Sequence, residues 1–400
     1  MLLLLAAFAA TATAQTFNGT CPIPLSQQRT NLTTIGQCSA DLDVIGPGLE
    51  AVHEYVRAPT GLGLDPEGNI FFTYARNMEP QNWTLTKATG FNSEAPWPSA
   101  EWQNCAAGQN ASECFVNVQN VVLDAENTFW VIDSGVPNGA YFPPTTYGAK
   151  IMAFNYTTGE LIRNYIYPPE LYYAKIQLND IKVNNTLGTA GYAFVTEDSA
   201  YGSITTIDLD TGATVRHLFN STFTTPDPNF ISMYNGEVIR NWAGTTSSNL
   251  NSGTNGIALT GEAFISNLTD AEIEAVVQNP GNFPSEQAGF TADDRGRVYI
   301  CASAQNAILY ADTLQSEVTD EVNGTPAGGE GMVAAANYNL KTLVRGGQVQ
   351  AADTMAILDG WLYFTTNQQG LAPGRQYKNI DKRRGPFRSY RTWIGRGPAV

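Results

Sequence analysis

Short stretches of alternating apolar and polar residues recur along the whole chain, each introduced by a pair of small or polar residues. Alternation with a period of two is typical of β-strands that bury one face. Several of these stretches end in an acidic residue, which would lie in the turn that follows. The six copies are Thr60–Asp65, Gln119–Asp124, Asn179–Asn184, Asn255–Thr260, Ala288–Asp293 and Asp353–Leu358.

Most copies lead through a turn sequence into a second apolar run, and this combination predicts β-hairpins. Pro66-Glu67-Gly68-Asn69 precedes Ile70–Phe72, for example, and Asp359-Gly360 precedes Trp361–Phe364. The spacings between the second residues of consecutive pairs are 59, 60, 76, 33 and 65 residues. A regular period of this length, holding several short strands, suits the four-stranded blade of a propeller. We therefore predict an all-β fold, a six-bladed β-propeller, over residues 45–394.

The spacing of 33 residues between Gly256 and Gly289 is too short for four strands and their turns. We therefore expect blade five to be shortened. The best helical pattern of the chain lies in the same interval, at Asp270–Val277 with Thr269 as a candidate N-cap, and we assign it to a loop. A last strand at Phe387–Trp393 is expected to help close the ring.

The composition permits a folded core and excludes some partners. Hydrophobic residues make up 43% of the chain and charged residues 15%. The 22 basic and 37 acidic side chains give a net charge of -15, so a nucleic-acid partner is not expected. With only His53 and His217, multi-histidine metal centres are excluded. Eight of the 22 basic residues lie between Arg375 and Arg396, and we expect them to pair with acidic residues of the body.

The first 14 residues have the pattern of a secretory signal peptide, since an apolar run is followed by Ala12-Thr13-Ala14, which fits the A-x-A cleavage rule. No apolar stretch is long enough to span a bilayer. We expect a secreted monomer with no membrane partner. Residues 15–44 would form an N-terminal segment and residues 395–400 a C-terminal tail.

Disulfides and N-linked glycans are expected in that compartment. The positions of the five cysteines suggest one bond between Cys21 and Cys38 and another between Cys105 and Cys114, with Cys301 as a free thiol in a strand. Nine sequons are candidate glycosylation sites. They are Asn18, Asn31, Asn82, Asn110, Asn155, Asn184, Asn220, Asn267 and Asn323.

Several motifs occur in a specific order along the chain. They are Phe115–Asp124 with Phe129–Gly135, Leu178–Ile181, Val195–Gly202, Asn255–Leu259, and Ala352–Met355 leading to Tyr363–Gln368. Together they resemble the major royal jelly protein/yellow family, in a fungal-type version, over residues 45–394. The resemblance implies a six-bladed propeller, in agreement with the repeat count. Family members usually carry a second strand pair after the motif at Gly256, and this chain departs from that pattern.

The polar pairs that introduce the repeats are the candidate site. The innermost strand of each propeller blade lines the central channel, so the pair before it should face one mouth of that channel. Polar groups that converge on a concave mouth form the default ligand site. The same side chains could instead cap strand ends and bond neighbouring blades. The predicted ligand-binding ring comprises Thr60, Gln119, Asn120, Asn179, Asp180, Asn255, Asp353 and Thr354, with Asp180 and Asp353 as catalytic acids and Tyr74, Trp130, Tyr201 and Phe364 as a candidate aromatic wall.

The familiar motifs for catalytic nucleophiles, metals, phosphates and dinucleotides are absent from the sequence, so we expect no cofactor and no metal. The family resemblance implies a small aromatic molecule in the channel, since insect relatives bind aromatic amines there and some act in pigment pathways. We favour cofactor-independent conversion of such a molecule, by tautomerisation, cyclisation or Diels–Alder-type cycloaddition, in secondary metabolism or pigment chemistry. Non-catalytic binding of an aromatic amine is the alternative.

A metal-dependent lactonase is a second alternative, because related six-bladed folds hold a divalent ion at the channel mouth on Glu, Asn and Asp ligands. Glu67 and Glu197 are the glutamates nearest the motifs, and neither occupies a ring position, which weakens this hypothesis. The candidate ligands would be Asn120, Asn179 or Asp180, Asn255 and Asp353.

Overall fold

The computed structural model describes residues 44–76, 79–137, 144–173, 176–234, 237–243, 245–250, 252–260, 267–279, 281, 283, 285–317 and 331–399. Within these ranges the chain forms five four-stranded antiparallel sheets, two short hairpins and one α-helix. None of the helices in the described part has the length and apolarity needed to cross a membrane.

The first strand, β1 (Leu49–Tyr55), joins the last sheet, and the next three sheets follow one another along the chain. Sheet 1 contains β2 (Gly61–Leu64), β3 (Ile70–Thr73), β4 (Leu85–Gly90) and β5 (Ser93–Pro96). Sheet 2 contains β6 (Val118–Leu123), β7 (Thr128–Ser134), β8 (Ala149–Asn155) and β9 (Leu161–Ile166). Sheet 3 contains β10 (Leu178–Asn184), β11 (Tyr192–Glu197), β12 (Ser203–Asp208) and β13 (Thr214–His217).

Two hairpins and a helix separate sheet 3 from sheet 4. The hairpins pair β14 (Met233–Tyr234) with β15 (Glu237–Val238) and β16 (Asn241–Ala243) with β17 (Thr246–Ser248), and the helix is α1 (Asp270–Val276). Sheet 4 contains β18 (Gln287–Ala292), β19 (Arg297–Ala302), β20 (Ala307–Asp312) and β21 (Lys341–Arg345). Sheet 5 contains β22 (Ala352–Leu358), β23 (Trp361–Thr366), β24 (Phe387–Trp393) and β1. Short 3₁₀ turns span Glu101–Gln103, Ala111–Glu113, Pro169–Leu171, Ser303–Gln305, Gln315–Glu317, Ala335–Asn337, Gln369–Leu371, Pro373–Arg375 and Tyr377–Asn379.

The acidic residue at the end of the inner strand organises the following turn in three of the sheets. Oδ1 of Asp65, Asp124 and Asp293 accepts the backbone N–H groups two and four residues ahead, at 2.8 to 3.1 Å. Oδ2 of the last two accepts from the aromatic side chains of Trp130 and Tyr299 on the next strand. This turn chemistry explains why an acid recurs at that point of the repeat.

The apolar faces of neighbouring sheets pack against each other, so the core lies between the blades. Between sheets 1 and 2, the rings of Phe71, Trp97 and Phe129 meet with centroids 4.5 to 5.2 Å apart. Burying one such side chain contributes about 2–3 kcal/mol. Because every buried face needs a neighbouring sheet, the alternating pattern favours a closed ring of blades.

The fourth repeat copy, Asn255–Thr260, is extended but belongs to no sheet of the described structure. On the side of sheet 3, the carbonyl of Asn255 accepts a hydrogen bond from Asn179 at 3.2 Å. On the side of sheet 4, Gly256 lies so close to the backbone that a β-carbon there would be 2.5 Å from the Ala288 carbonyl oxygen. This stretch therefore occupies the place of a sixth inner strand, and we call it the sixth-position segment.

The prediction of six blades is therefore wrong, because the propeller has five four-stranded sheets and a sixth position held by one segment. The interval that was expected to hold a shortened blade has too little chain for a sheet, and part of it forms α1. The predicted N-cap of this helix is confirmed, since the Thr269 hydroxyl accepts from the Glu272 N–H while the Glu272 carboxylate accepts from the Thr269 N–H.

The predicted closing strand is confirmed, because β24 inserts between β23 and β1. The expected pairing of the basic C-terminal region with the acidic body is confirmed as well. Its salt bridges are Lys382–Glu237, Arg383–Glu79, Arg388–Glu54, Arg391–Glu50, and Arg396 with Asp293 and Glu317.

The structure contains the predicted disulfide between Cys105 and Cys114, and Cys301 is a buried free thiol in β19. The Cys21–Cys38 bond and the sequons at Asn18, Asn31 and Asn323 lie outside the described residues. Asn184 is buried, so a glycan on its amide nitrogen would have to displace the groups packed around it. The sequons with exposed side chains are Asn82, Asn110, Asn155, Asn220 and Asn267, where glycosylation stays a prediction.

Candidate functional site

The polar pairs before the inner segments meet around one axis, and each contacts the next. The Thr354 hydroxyl of sheet 5 donates to the Thr60 carbonyl of sheet 1 at 2.7 Å. The Thr73 hydroxyl of sheet 1 donates in turn to the Gln119 carbonyl of sheet 2 at 2.6 Å. Side chains and backbone groups of adjacent blades are thus bonded directly at this end of the axis.

Asp180 is the centre of the next contacts in the ring. Its Oδ1 accepts from Asn120 Nδ2 of sheet 2 at 2.6 Å and from the backbone N–H of Ile181 at 2.8 Å. Its Oδ2 accepts from the backbone N–H of Ile257 in the sixth-position segment at 3.1 Å. Lys182 Nζ lies 3.6 Å from Oδ1. One buried carboxylate therefore joins sheet 2, sheet 3 and the sixth position, with both oxygens satisfied.

The ring is completed between sheets 4 and 5. Gly289 lies so close to the Asp353 carbonyl that a β-carbon there would be 2.3 Å from its oxygen. All eight predicted ring residues take part in this circle of contacts or flank it directly. For Thr60, Gln119, Asn179, Asn255 and Thr354 the observed role is bonding between blades, and ligand binding by them stays a prediction.

The Asp353 carboxyl differs from that of Asp180 because it has fewer partners. Its Oδ2 accepts from Asn367 Nδ2 at 2.6 Å. Burial raises the pKa of Asp353 to about 7; the Asn367 hydrogen bond opposes this rise, and the negative charge of Asp180 adds to it. The residue keeps part of its surface exposed. Asp353 can therefore both hold and release a proton near neutral pH.

Further acids surround this mouth that the ring pattern did not indicate. Burial raises the pKa of Asp198, where the charge of Glu197 adds to the rise, Arg375 opposes it and Asp353 adds again. Burial also raises the pKa of Glu197 and of Glu286. Burial is therefore the main cause that raises the pKa of several carboxyls at this mouth.

Two of the residues missed by sequence reasoning share a detectable signal. Asp198 directly follows β11 and Asn367 directly follows β23, so each comes one residue after the second strand of its hairpin. That position faces the same mouth as the pair before the inner strand, because antiparallel neighbours return to the same edge. Reading both strand ends of each repeat would have identified them. Arg375 lies in a long connection that has no repeat pattern.

Two long connections cover this mouth. We call residues 367–386, between β23 and β24, the cover connection, and residues 218–253, between β13 and the sixth-position segment, the hairpin connection. The cover connection starts at Asn367 beside Asp353, and the hairpin connection ends at Gly253, whose N–H donates to the Asp198 carbonyl at 3.2 Å. Both are therefore anchored to the acids of the ring.

The two connections hold each other. The rings of Trp242 and Tyr377 meet edge to face with centroids 4.9 Å apart. Arg375 donates to the side-chain oxygen of Asn241. A cavity of about 20 Å³ under the cover connection is lined by Thr60 and Asn367 among others, which is room for about one water. An aromatic ligand would need a pocket of about 300 Å³ or more, so it could enter here only if the cover moved.

The predicted aromatic wall is wrong for three of its four members. Tyr74, Trp130 and Phe364 are buried in the cores between blades, because their strand positions point sideways and not toward the axis. Tyr201 is 43% exposed and packs edge-to-face against Tyr173. None of these side chains is a wall of the ring.

In the residues that the structure describes, no three His, Cys, Asp or Glu side chains are grouped so as to hold a metal ion. The carboxylates that lie closest to the ring are instead bonded to amides, as in the Asn120–Asp180 and Asn367–Asp353 pairs. The lactonase alternative therefore gains no support from this arrangement.

Five radiating four-stranded sheets and a sixth segment around one axis define a β-propeller. The family model described as "Major royal jelly protein" matches residues 116–259, which include sheets 2 and 3 and most of the sixth-position segment. This match confirms the family resemblance drawn from the motifs in that part of the chain. No curated protein matches the chain.

Solved propeller structures are similar to this chain at low identity. A luciferin-regenerating enzyme is 14% identical, with 88% of this chain and 98% of that one covered and a TM-score of 0.43. A putative gluconolactonase is 10% identical, with 90% and 97% covered and a TM-score of 0.43. Regucalcin from Agrobacterium tumefaciens, titled a calcium-binding protein, is 12% identical, with 89% and 98% covered and a TM-score of 0.46. Because these TM-scores are below 0.5, we draw no functional conclusion from them.

Proposed function

We propose that this secreted propeller binds an aromatic small molecule at the covered mouth of its ring and converts it without a cofactor, with Asp353 as the general acid or base. The conversion would be a tautomerisation, cyclisation or cycloaddition. The aromatic character of the ligand rests on the family resemblance alone, since three of the four side chains considered for an aromatic wall lie in the core.

One observation carries the catalytic part of the proposal. Asp353 and Asp180 lie close enough to interact electrostatically, yet their surroundings differ. Asp180 accepts three hydrogen bonds and lies beside Lys182, whereas the one hydrogen bond seen at the Asp353 carboxyl comes from Asn367. Two carboxyls held in different protonation states are a recurring device for acid–base catalysis. A carboxyl with a pKa near the working pH transfers protons most effectively.

Asp180 would act differently, as a fixed negative charge. Its carboxylate oxygens are held in place by three hydrogen bonds, so its charge would stabilise positive charge that develops on a ligand amine or ring. Tautomerisation needs only that one proton leave a carbon or nitrogen and another return elsewhere on the molecule. Asp353 can perform both steps in turn, and the ring amides can orient the ligand.

The test uses purified protein, tyramine as a binding probe, and a freshly oxidised catecholamine (an aminochrome) as a reactive probe. Calorimetry should detect tyramine binding, and the visible absorbance of the aminochrome should decay faster with protein than with buffer. Asp353→Asn keeps the shape of the residue but removes its ionisation, so the rate should fall by about 10²–10⁴-fold. Asp210→Asn, at an exposed turn of sheet 3, is the matched control and should leave the rate unchanged.

The same variants separate the alternatives. Tyramine binding that is weakened by Asp180→Asn, with no conversion of any probe, would leave a non-catalytic amine-binding protein. Activity that is lost on chelation and regained with a divalent ion would favour the lactonase class. Wild-type rates in Asp353→Asn would exclude Asp353 as the proton-transfer residue.

A further inference from the structure

Side-chain hydrogen bonds join the two ends of the cover connection to each other and to sheet 1. At its start, Gln368 Nε2 donates to the Arg384 carbonyl at 2.9 Å while Gln368 Oε1 accepts from the Arg384 N–H at 3.0 Å. This pair joins the beginning of the connection to its end. Arg383 reaches Glu79 of the connection in sheet 1 at 2.6 Å. The base of the cover is therefore closed, and its tip rests on the hairpin connection.

Asn367, the first residue of the cover connection, is held in one orientation. Its Oδ1 accepts the backbone N–H of Gln369 at 2.9 Å, and its own N–H donates to the Ala351 carbonyl at 3.2 Å. Because the amide oxygen is engaged by the cover, Nδ2 is directed at Asp353 Oδ2, 2.6 Å away. The Asn367 residue is 3% exposed, so solvent does not compete for this donor.

We propose that Asn367 is the positioning residue for Asp353 and that it makes the protonation of this acid depend on the cover connection being seated. The proposal rests on the proposed function for its catalytic meaning. Its physical content does not, because a donor that moves with the cover changes the carboxyl whether or not a ligand is known. Seating the cover brings Nδ2 to the carboxylate and favours the charged form, and lifting the cover removes that donor.

Other charged groups face Asp353 from every side and set the background against which Asn367 acts. The negative charge of Asp180 in β10 raises the pKa of Asp353, and Asp353 in turn raises the pKa of Asp198, which directly follows β11. The Cys301 thiol of β19 lies nearby, and its pKa is raised by burial and by the charge of Asp353. Arg375 of the cover connection opposes the negative charge at Asp198. Lifting the cover would therefore withdraw the Asn367 donor, which favours the protonated form of Asp353, while the water admitted beside the carboxyl would favour its ionised form.

The experiment follows the Asp353 carboxyl carbon by NMR in protein labelled with ¹³C at aspartate, with Asp353→Asn used to assign the signal. The wild-type midpoint should lie near pH 7. Asn367→Ala should raise it by one unit or more, which is a tenfold change in proton affinity. Asn367→Asp keeps the acceptor for Gln369 but replaces the donor by a second carboxyl, and it should raise the midpoint further. Asn120→Ala is the matched control, since it removes the equivalent donor at Asp180 and should move the Asp353 midpoint less.

A distant variant tests the link to the cover. Trp242→Ala removes the ring that holds Tyr377 without touching Asn367, and it should shift the Asp353 midpoint by less than Asn367→Ala does. An unchanged midpoint in Asn367→Ala would overturn the positioning role. A changed midpoint there with none in Trp242→Ala would overturn the dependence on the cover. If the titrations behave as expected but no probe is ever converted, the proposed function fails and the positioning role stands.

Discussion

Sheet 2 and the sixth-position segment each supply one innermost segment of the ring, but only sheet 2 supplies it as part of four paired strands. Sheet 2 presents the inner strand β6 on three further strands, and its side chains fill a core with sheet 1 that includes Phe129 and Phe154. The sixth-position segment presents Asn255 and Gly256 without pairing to any strand of the described structure. Both nevertheless bond to Asp180, through Asn120 in one case and Ile257 in the other.

The comparison shows that ring closure depends on the innermost layer, while the outer strands supply burial. In the sparse sector, where the described residues form no outer strands, five large apolar side chains are 37–68% exposed: Ile231, Met233 and Val238 in the hairpin connection, and Leu268 and Val276 beside and within α1. In the described structure the ring therefore includes one position without a sheet, where hydrogen bonds from Asn179 and to Asp180 replace strand pairing. The hairpin connection of this sector instead packs against the cover connection at the mouth of the ring.

The largest loss of stability is expected in the densely packed sector between sheets 1 and 2. Phe129→Ala removes a fully buried ring from the core between sheets 1 and 2, and it should lower the free energy of unfolding by about 3–5 kcal/mol. Ile273→Ala, in the helix of the sparse sector, should cost about 2 kcal/mol, at the low end for such truncations, because this buried side chain belongs to none of the apolar clusters between the sheets. Denaturant titrations of the two variants measure both values. Equal losses would show that the two sectors are equally well packed.

Next in size is a pH effect at Asp353, the acid that sheet 5 contributes to the ring. Asp353 titrates at about 7 in the folded protein, well above its unfolded value, so the folded state binds the extra proton. Stability from this group is therefore fully present below the unfolded pKa and falls as the pH rises through 7. The loss between pH 5 and pH 8 should be on the order of 2 kcal/mol, after allowance for partial exposure. Asp353→Asn should flatten this part of the stability curve, and an unchanged curve would contradict it.

The close approach of the sixth-position segment to sheet 4 makes a third prediction. Gly256→Ala would place a β-carbon 2.5 Å from the Ala288 carbonyl oxygen, which forces the segment away from β18. We expect a loss of about 1–3 kcal/mol and faster hydrogen exchange at Ile257. Gly48→Ala is the control, because a β-carbon there meets no atom within 4 Å. If Gly256→Ala were as stable as Gly48→Ala, the segment would not be held between the sheets.

The smallest effect is expected at the helix of the sparse sector. Thr269→Ala removes the N-cap of α1 and half of its capping box, and it should cost about 1 kcal/mol. The exposed position of the helix means that the loss should appear as local fraying, seen by hydrogen exchange in Ile273 and Glu274, more than as a lower global stability. Thr246→Ala, on the exposed strand β17, provides the comparison for a threonine outside a cap.

Local patterns were sufficient for much of the fold. The alternating runs and their Asp-led turns predicted the inner hairpins at Thr60–Asp65, Gln119–Asp124 and Asp353–Leu358, and the Thr269 cap predicted α1. These features depend on neighbours within a few residues, so they can be read from the chain. The convergence of Asp180 and Asp353 also followed from the repeat, because equivalent positions of a propeller meet at one end of the axis.

What only the tertiary structure decided depends on contacts distant in the chain. The described residues form five sheets and not the six blades that the repeat predicted. Asn255–Thr260 meets sheets 3 and 4, but no outer strands accompany it in the described structure. The alternation in β7 and β23 shows that each strand has two faces, but it does not show which face packs against the neighbouring blade. The sequence therefore did not reveal that Trp130 and Phe364 pack in the cores between blades. Asp353 in β22 is paired with Asn367, the residue after β23, and the pKa of a buried carboxyl depends on the groups that the fold brings beside it.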